Sequence, residues 1–286
     1  MIVSGQASGW FSDDGPFFLI AGPCVLEEDA LNLRVASELS AIGERLGLRI
    51  LFKASFDKAN RSQPAGFRGP GLEEGLARLE RVRARTGMAV LTDVHEVGQV
   101  APAAAICDAL QIPAFLCRQT DLIEAAGASG RPVNIKKGQW LTPEQMAGAV
   151  GKARAAGAAR VAVTERGTFF GYGDLVVDMR AFRRLREATA APVIFDGTHS
   201  VQRPGLAAGA SGGDPEYTRP LVLAAVAAGA DGLFLEVHPD PASAPSDGSN
   251  MLPLSHLEAL LREVLAVRDA VSGGERAMPP LAGARG

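Results

Sequence analysis

Eight short apolar, β-branched-rich runs alternate along this chain with stretches of helical period, and that alternation leaves few folds open. The runs are Phe17–Ala21, Arg49–Phe52, Met88–Thr92, Ala109–Ile112, Pro132–Ile135, Arg160–Thr164, Pro192–Phe195 and Gly232–Leu235. Between and after them, helical periodicity covers Glu28–Leu46, Leu72–Thr86, Val97–Ala105, Thr120–Ala128, Pro143–Ala156, Met179–Ala188, Glu216–Ala228 and Ser255–Val271. Thr142-Pro143 with Gln145, and Ser255 with Glu258, have the spacing of capping boxes. The alternation predicts a single-domain α/β protein, a (β/α)8 TIM barrel over residues 16–271. Residues 1–15 read as a flexible N-terminal extension and 272–286 as a flexible C-terminal tail. Arg203–Pro215 and Pro239–Asn250 read as long Gly/Pro/Ser-rich loops after strands seven and eight.

A doubly wound open sheet is the competing architecture. It usually carries a glycine-rich phosphate loop after its first strand, and here that turn reads AGPCVLEED, neither GxGxxG nor a P-loop. Polar residues instead follow every strand at once: Cys24, Lys53, Asp93 with His95, Gln111, Lys136, Glu165 with Arg166, Asp196 with His199, and Glu236 with His238. These positions form the C-terminal rim of a barrel, where this architecture builds active sites.

Lys53, Lys58, Arg61, Arg118, Lys136 and Arg166 all lie at or just past strand ends, enough positive charge for two anionic ligands. Lys136 and Lys137 are adjacent, so a strand directs only one of them to the barrel axis. The chain as a whole carries a net charge of only −3, which argues against nucleic acid or a membrane surface as partner and for a small anionic molecule. The N-terminus lacks a basic segment followed by an apolar core, and no apolar run approaches the ~20 residues of a membrane span. The expected location is the cytoplasm, and three cysteines, Cys24, Cys107 and Cys117, fit reduced thiols.

Cys24, His199, Glu236 and Asp247 offer a thiolate, an imidazole and two carboxylates from the ends of strands one, seven and eight, which are neighbours in a closed barrel. By residue type alone a cysteine after a strand reads more readily as a small buried hydrophobe than as a ligand, and Cys107 and Cys117 keep that reading. His95 and His238 are open between acid–base work and bonding to loops, and His256 reads as a surface residue.

With these residues in view, the chain resembles the 3-deoxy-D-manno-octulosonate 8-phosphate (KDO 8-phosphate) synthases, of the DAHP synthase superfamily. The resemblance runs through FKASFDKANRS (Phe52–Ser62), FRGPGLEEGL (Phe67–Leu76), LTDVHE (Leu91–Glu96), LQIPAFLCRQTDL (Leu110–Leu122), VNIKKGQ (Val133–Gln139), TERGTFFGYGDLVVDMR (Thr164–Arg180), FDGTHSVQ (Phe195–Gln202) and EVHPDP (Glu236–Pro241). It implies condensation of phosphoenolpyruvate with D-arabinose 5-phosphate and water, giving an eight-carbon sugar acid phosphate and inorganic phosphate, for lipopolysaccharide precursor synthesis. It further implies that Lys53, Ser55, Lys58, Gln111, Ala114, Lys136 and Arg166 hold phosphoenolpyruvate and that Asn60, Arg61 and Ser62 hold the sugar phosphate. Arg118 is implied to reach the sugar phosphate of a neighbouring subunit in a homotetramer. Lys53, Lys58, Lys136, His199 and Asp247 are the implied catalytic set. The family has metal-dependent and metal-independent classes, told apart by Cys or Asn in the first strand-end motif. AGPCVLE therefore implies the metal-dependent class, with Cys24, His199, Glu236 and Asp247 holding one divalent Zn, Fe or Mn ion. Two rivals stand beside this reading: a DAHP synthase acting on erythrose 4-phosphate, and a non-catalytic barrel that senses phosphorylated metabolites.

Overall fold

The computed structural model describes residues 9–59, 66–172, 174–207 and 210–275, without side-chain detail at 204–207, 210–211 and 273–275. Seven parallel strands, β1 (Phe18–Gly22), β2 (Arg49–Lys53), β3 (Val90–Asp93), β4 (Ala109–Ile112), β5 (Val133–Lys136), β6 (Val161–Glu165) and β7 (Val193–Asp196), pair in chain order. The eighth barrel strand, Gly232–His238, pairs with β7 on one side and with β1 on the other, Ile20 facing Phe234 and Gly22 facing Glu236. That last pairing closes the sheet into the expected (β/α)8 barrel.

Around the barrel run α1 (Asp29–Leu46), α2 (Leu72–Thr86), α3 (Val97–Ile106), α4 (Thr120–Ala128), α5 (Met146–Ala155), α6 (Ala181–Thr189), α7 (Thr218–Ala227) and α8 (Leu254–Glu275). The Thr142–Gln145 capping box forms, with Thr142 N donating to Gln145 Oε1 at 2.9 Å, and it caps a 3-10 turn, Pro143–Gln145, that leads into α5. Ser255 is not a cap: α8 begins at Leu254 and places Ser255 inside its first turn.

Strand parity sorts the core. Phe18, Ile20, Leu51, Leu91, Ala109, Ala162, Ile194 and Phe234 form one apolar cluster inside the barrel. Their neighbours, such as Leu19, Ile50, Val90, Leu110, Val163, Val193 and Leu233, belong to the larger cluster between strands and helices. Two residues further along the inward rows, the apolar set gives way to Lys53, Asp93, Gln111, Asp196 and Glu236, all buried. The polar mouth thus rests on an apolar floor, with Lys136 Nζ 3.6 Å from the ring centre of Phe234.

Four expectations change. Residues 1–15 are not a free extension over their described part, because Trp10 (1% exposed) and Phe11 join the apolar cluster inside the barrel. Trp10 packs edge-on to Phe18, and the Arg49 guanidinium lies 4.2 Å from its ring centre. The segment expected as a loop after strand seven contains an antiparallel hairpin, Gln202–Ala207 with Ala210–Gly213, since its small residues allow close pairing. After the eighth strand a 3-10 turn, Pro241–Ser243, leads to a short strand, Leu252–Pro253, paired with Val237 and His238. The last helix reaches Glu275, past the expected start of the tail at 272.

Candidate active site

The mouth is built from two interlocking sets of charges. Lys53, from the end of β2, donates to Ser55 Oγ at 2.9 Å and lies 3.4 Å from Glu236 Oε1 and 3.8 Å from Asp93 Oδ1. Ser55 in turn donates to Asp93 Oδ1 at 2.6 Å. Lys136, from β5, reaches Asp196 Oδ2 at 2.6 Å, and His199 Nδ1 meets the same oxygen at 2.8 Å. Arg166 is buried, with Nη2 donating to Gln202 Oε1 at 3.0 Å and Nη1 buried without a hydrogen-bond partner. Gln111 accepts from Asn134 Nδ2 at 3.0 Å, and Ala114 is buried at the first turn past β4.

Cys24, Glu236 and Asp247 form the second set, each offering a ligand atom within 4.8 Å of the others'. Cys24 Sγ donates to Asp247 Oδ2 at 3.0 Å, and Lys58 Nζ lies 3.7 Å from the same oxygen. His199 stands at the edge of this trio, its Nε2 3.7 Å from Glu236 Oε2, while Asp196 holds its other nitrogen. Glu236 Oε2 is buried without a hydrogen-bond donor, and Asp247 has φ 52, in the left-handed region that Asp tolerates better than most residues. A thiol, an imidazole nitrogen and two carboxylates, one with an unserved oxygen, fit a divalent transition-metal ion.

Close backbone approach makes the trio possible. A Cβ at Gly22 would collide with the Lys53 carbonyl oxygen, so only glycine lets the chain turn from β1 toward Cys24 at that point. The connection is then tied to β2 by reciprocal bonds, Leu26 N to Ser55 O at 2.9 Å and Ser55 N to Cys24 O at 3.3 Å.

The field inside the mouth follows from burial and proximity. Burial, then Glu236, pushes the Cys24 thiol well above its ordinary range. Burial alone would depress Lys58, yet Cys24, Glu236 and Asp247 raise it well above normal. Asp247 falls to about 2, because Lys58 and His199 outweigh its burial. Burial opposes ionisation of Glu236 too, but His199, Lys58 and Lys53 hold it low, and His199 and Lys136 hold Asp196 far below the usual carboxylate range. Lys136 and Arg166 are drawn downward by burial. Buried cations in an apolar-floored mouth are suited to anions that bring their own negative charge.

Other residues singled out in the sequence part company with the mouth. Asn60, Arg61 and Ser62 lie outside the described residues. Arg118 is exposed on the connection between β4 and α4, outside the buried group. Glu165, expected on the rim, pairs instead with fully buried Lys137 at 3.6 Å, because both have the parity opposite to Lys136 and Arg166. His238 is structural: Nδ1 accepts from Asp240 N at 3.0 Å and Nε2 lies 3.1 Å from Glu27 Oε1. His95 packs edge-on to Phe56, with Nε2 3.0 Å from Asp93 Oδ2. Cys107 and Cys117 are free and buried, and His256 is exposed, as expected. Asp93, Asp196 and Gln202 belong to the site without having been given roles. The first two share the inward parity of Lys53, a signal present in the sequence.

The profile of the DAHP synthetase I family matches residues 2–272. A 2-dehydro-3-deoxyphosphooctonate aldolase of Syntrophotalea carbinolica is 53% identical over 263 residues, covering 92% of this chain and 95% of the relative. Proteins of the same name from Acidithiobacillus ferrooxidans and Rhodopseudomonas palustris are each 54% identical, over 247 and 255 residues. The former alignment covers 86% of this chain and 88% of the relative, the latter 89% of each. Sequence likeness over nearly the whole barrel agrees with a mouth that pairs an anion-binding cation set with a thiol–carboxylate trio, and the chain belongs to the DAHP synthetase I family.

Proposed function

We propose that this protein is a 3-deoxy-8-phosphooctulonate synthase, condensing phosphoenolpyruvate with D-arabinose 5-phosphate and water to give 3-deoxy-D-manno-octulosonate 8-phosphate and phosphate. The supporting observation is the convergence of buried Lys53, Lys136 and Arg166 and half-buried Lys58 on a mouth shared with Cys24, Glu236 and Asp247. Relatives more than half identical over most of their length carry the name of this activity rather than of a DAHP synthase.

In this reading Lys53, Ser55, Lys58, Gln111, Ala114, Lys136 and Arg166 bind phosphoenolpyruvate, and Asn60, Arg61 and Ser62 take the sugar phosphate. The cations offset the mutual repulsion of two anionic substrates and hold carbon 3 of the enol against the aldehyde. Lys58 beside Asp247 and His199 beside Asp196 are placed to move protons as the new bonds form. Cys24, His199, Glu236 and Asp247 hold one divalent ion, for which Zn²⁺, Fe²⁺ and Mn²⁺ all suit the donors. When bound, that ion supplies Lewis acidity at the mouth.

The protein works as a homotetramer in the cytoplasm, with Arg118 serving a neighbouring subunit. Support comes from the exposure of Arg118 on the same connection as exposed Phe115, whose ring lies tilted against exposed Trp140 with centres 5.8 Å apart, and from three free thiols. Among the described residues no helix is long and apolar enough to cross a membrane.

The test is phosphate release with phosphoenolpyruvate and either sugar phosphate. Turnover with arabinose 5-phosphate is expected to exceed that with erythrose 4-phosphate; the reverse order makes the protein a DAHP synthase, and no release with either leaves a binding barrel.

A further inference from the structure

Gln202, the residue that opens the hairpin after β7, is buried and touches both halves of the mouth. Its Oε1 accepts from Arg166 Nη2 at 3.0 Å, and its Nε2 donates to Asp247 Oδ1 at 3.2 Å. A guanidinium only donates and an ionised carboxylate only accepts, so the amide fits in one orientation and cannot be reversed. Each contact uses up one atom of a functional group and leaves the other. On Arg166 the remaining atom, Nη1, is buried without a hydrogen-bond partner. On Asp247 the remaining oxygen, Oδ2, is the one 3.0 Å from Cys24 Sγ and 3.7 Å from Lys58 Nζ.

The backbone beneath this amide is fastened on both flanks. Gln202 pairs with Gly213 across the hairpin, and Asp214 N donates to Val201 O at 3.1 Å. Arg203 Nε lies 2.6 Å from Asp214 Oδ2 and 3.1 Å from Asp174 Oδ1, tying the hairpin to the β6–α6 connection that carries Arg166. Asn250 Nδ2 donates to Gly212 O at 3.4 Å and its backbone N to Asp247 O at 3.0 Å, tying the hairpin to the loop that carries Asp247.

We propose that Gln202 is a positioning residue that ties the two halves of the site together: by occupying Arg166 Nη2 and Asp247 Oδ1, it aims Nη1 at the phosphoenolpyruvate anion and Oδ2 at the metal. This rests on the reading of the mouth as a phosphoenolpyruvate and metal site. Loss of an outer partner of a metal ligand commonly costs ~10–100-fold in affinity, and a small misplacement of a binding group has effects of similar size.

The experiment compares wild type with Gln202→Met, which keeps length and volume without either hydrogen bond, and with Gln202→Glu, which still accepts from Arg166. Zn²⁺ affinity is measured on metal-free protein by competition with a chromophoric chelator, and KM for phosphoenolpyruvate at saturating Zn²⁺. Gln202→Met is expected to weaken Zn²⁺ by about 10–100-fold and to raise this KM by about tenfold with a smaller change in kcat. Gln202→Glu is expected to keep the KM within about threefold of wild type, because its carboxylate still serves Arg166. A fall in thermal stability with both constants within twofold of wild type in Gln202→Met overturns the proposal, as does a change at one end only. Wild type that binds no Zn²⁺ overturns instead the reading on which it rests.

Discussion

Cys24 Sγ lies 3.0 Å from Asp247 Oδ2 across 223 residues of chain, and Glu236 closes the same small group. A thiol raised by burial and then by Glu236, and donating its proton to a carboxylate, is poised to exchange that proton for a metal ion. Chelation is expected to abolish turnover and added Zn²⁺, Mn²⁺ or Fe²⁺ to restore it. Cys24→Ala should lose metal by more than the ~10–100-fold typical of an outer partner, seen in metal content after gel filtration. Cys24→Asn should retain some turnover without metal. Full activity of metal-free wild type would remove Cys24 from the ligand set.

His95 supplies a pH signature in stability. Burial lowers its affinity for a proton, but the hydrogen bond and charge of Asp93 reverse that and leave it above its ordinary value. A group raised on folding contributes stability that is complete below its unfolded value, ~6.5 for His, and is lost as pH rises through the higher folded value. Urea titrations of wild type and His95→Gln should therefore differ most at pH ~5.5 and converge by pH ~8.5. A difference that does not shrink with pH contradicts the assignment.

Lys137 and Glu165 form a fully buried pair behind the mouth, with Lys137 Nζ also bonded to Gly138 O, Leu141 O and Thr168 Oγ1 at 3.2–3.3 Å. Lys137→Met leaves the buried Glu165 carboxyl without its cation, an expected loss of ~3–5 kcal/mol. Lys137→Met with Glu165→Gln should recover much of it, since the buried charge is gone, and denaturant unfolding of the single and double variants reads the difference. Equal losses in both would show that the hydrogen bonds of Lys137, rather than its charge, set its contribution.

Trp10 lies in the apolar interior and not with the polar mouth. Trp10→Ala is expected to cost ~3–5 kcal/mol, as for other large buried side chains. KM for both substrates should stay within about twofold, because its ring partners, Phe18 and Arg49, are not residues of the mouth. Thermal unfolding and steady-state kinetics on one preparation check both halves of the statement.

Much of the fold was legible because period two in the strands and 3.6 in the helices are local consequences of backbone geometry. Seven of the eight strands fall within two residues of their expected bounds and the eighth runs three further, to His238, and the Thr142–Gln145 cap forms where its spacing placed it. The misses are places where tertiary contact overrode local composition. Small, loop-like residues at 202–213 pair as a hairpin, and N-terminal Trp10 and Phe11 bury in the barrel because its interior offers them an apolar surface. Ser255 looked like a helix cap, but the helix starts one residue earlier.

Residue type and strand-end position alone marked Lys53, Lys136, Arg166, Cys24, His199 and Glu236 as rim residues, and the resemblance carried by their motifs named their chemistry. Which of them meet was decided by tertiary structure. Adjacent lysines 136 and 137 go to a carboxylate inside the mouth and a carboxylate behind it because successive side chains of a strand point opposite ways. Cys24 hydrogen-bonds to Asp247 because closure sets β1 beside the eighth strand, and Gln202 gains two partners only when the connections after β6 and the eighth strand fold against its hairpin. Local sequence fixes which face a side chain takes, whereas the distance between faces is a property of the closed barrel.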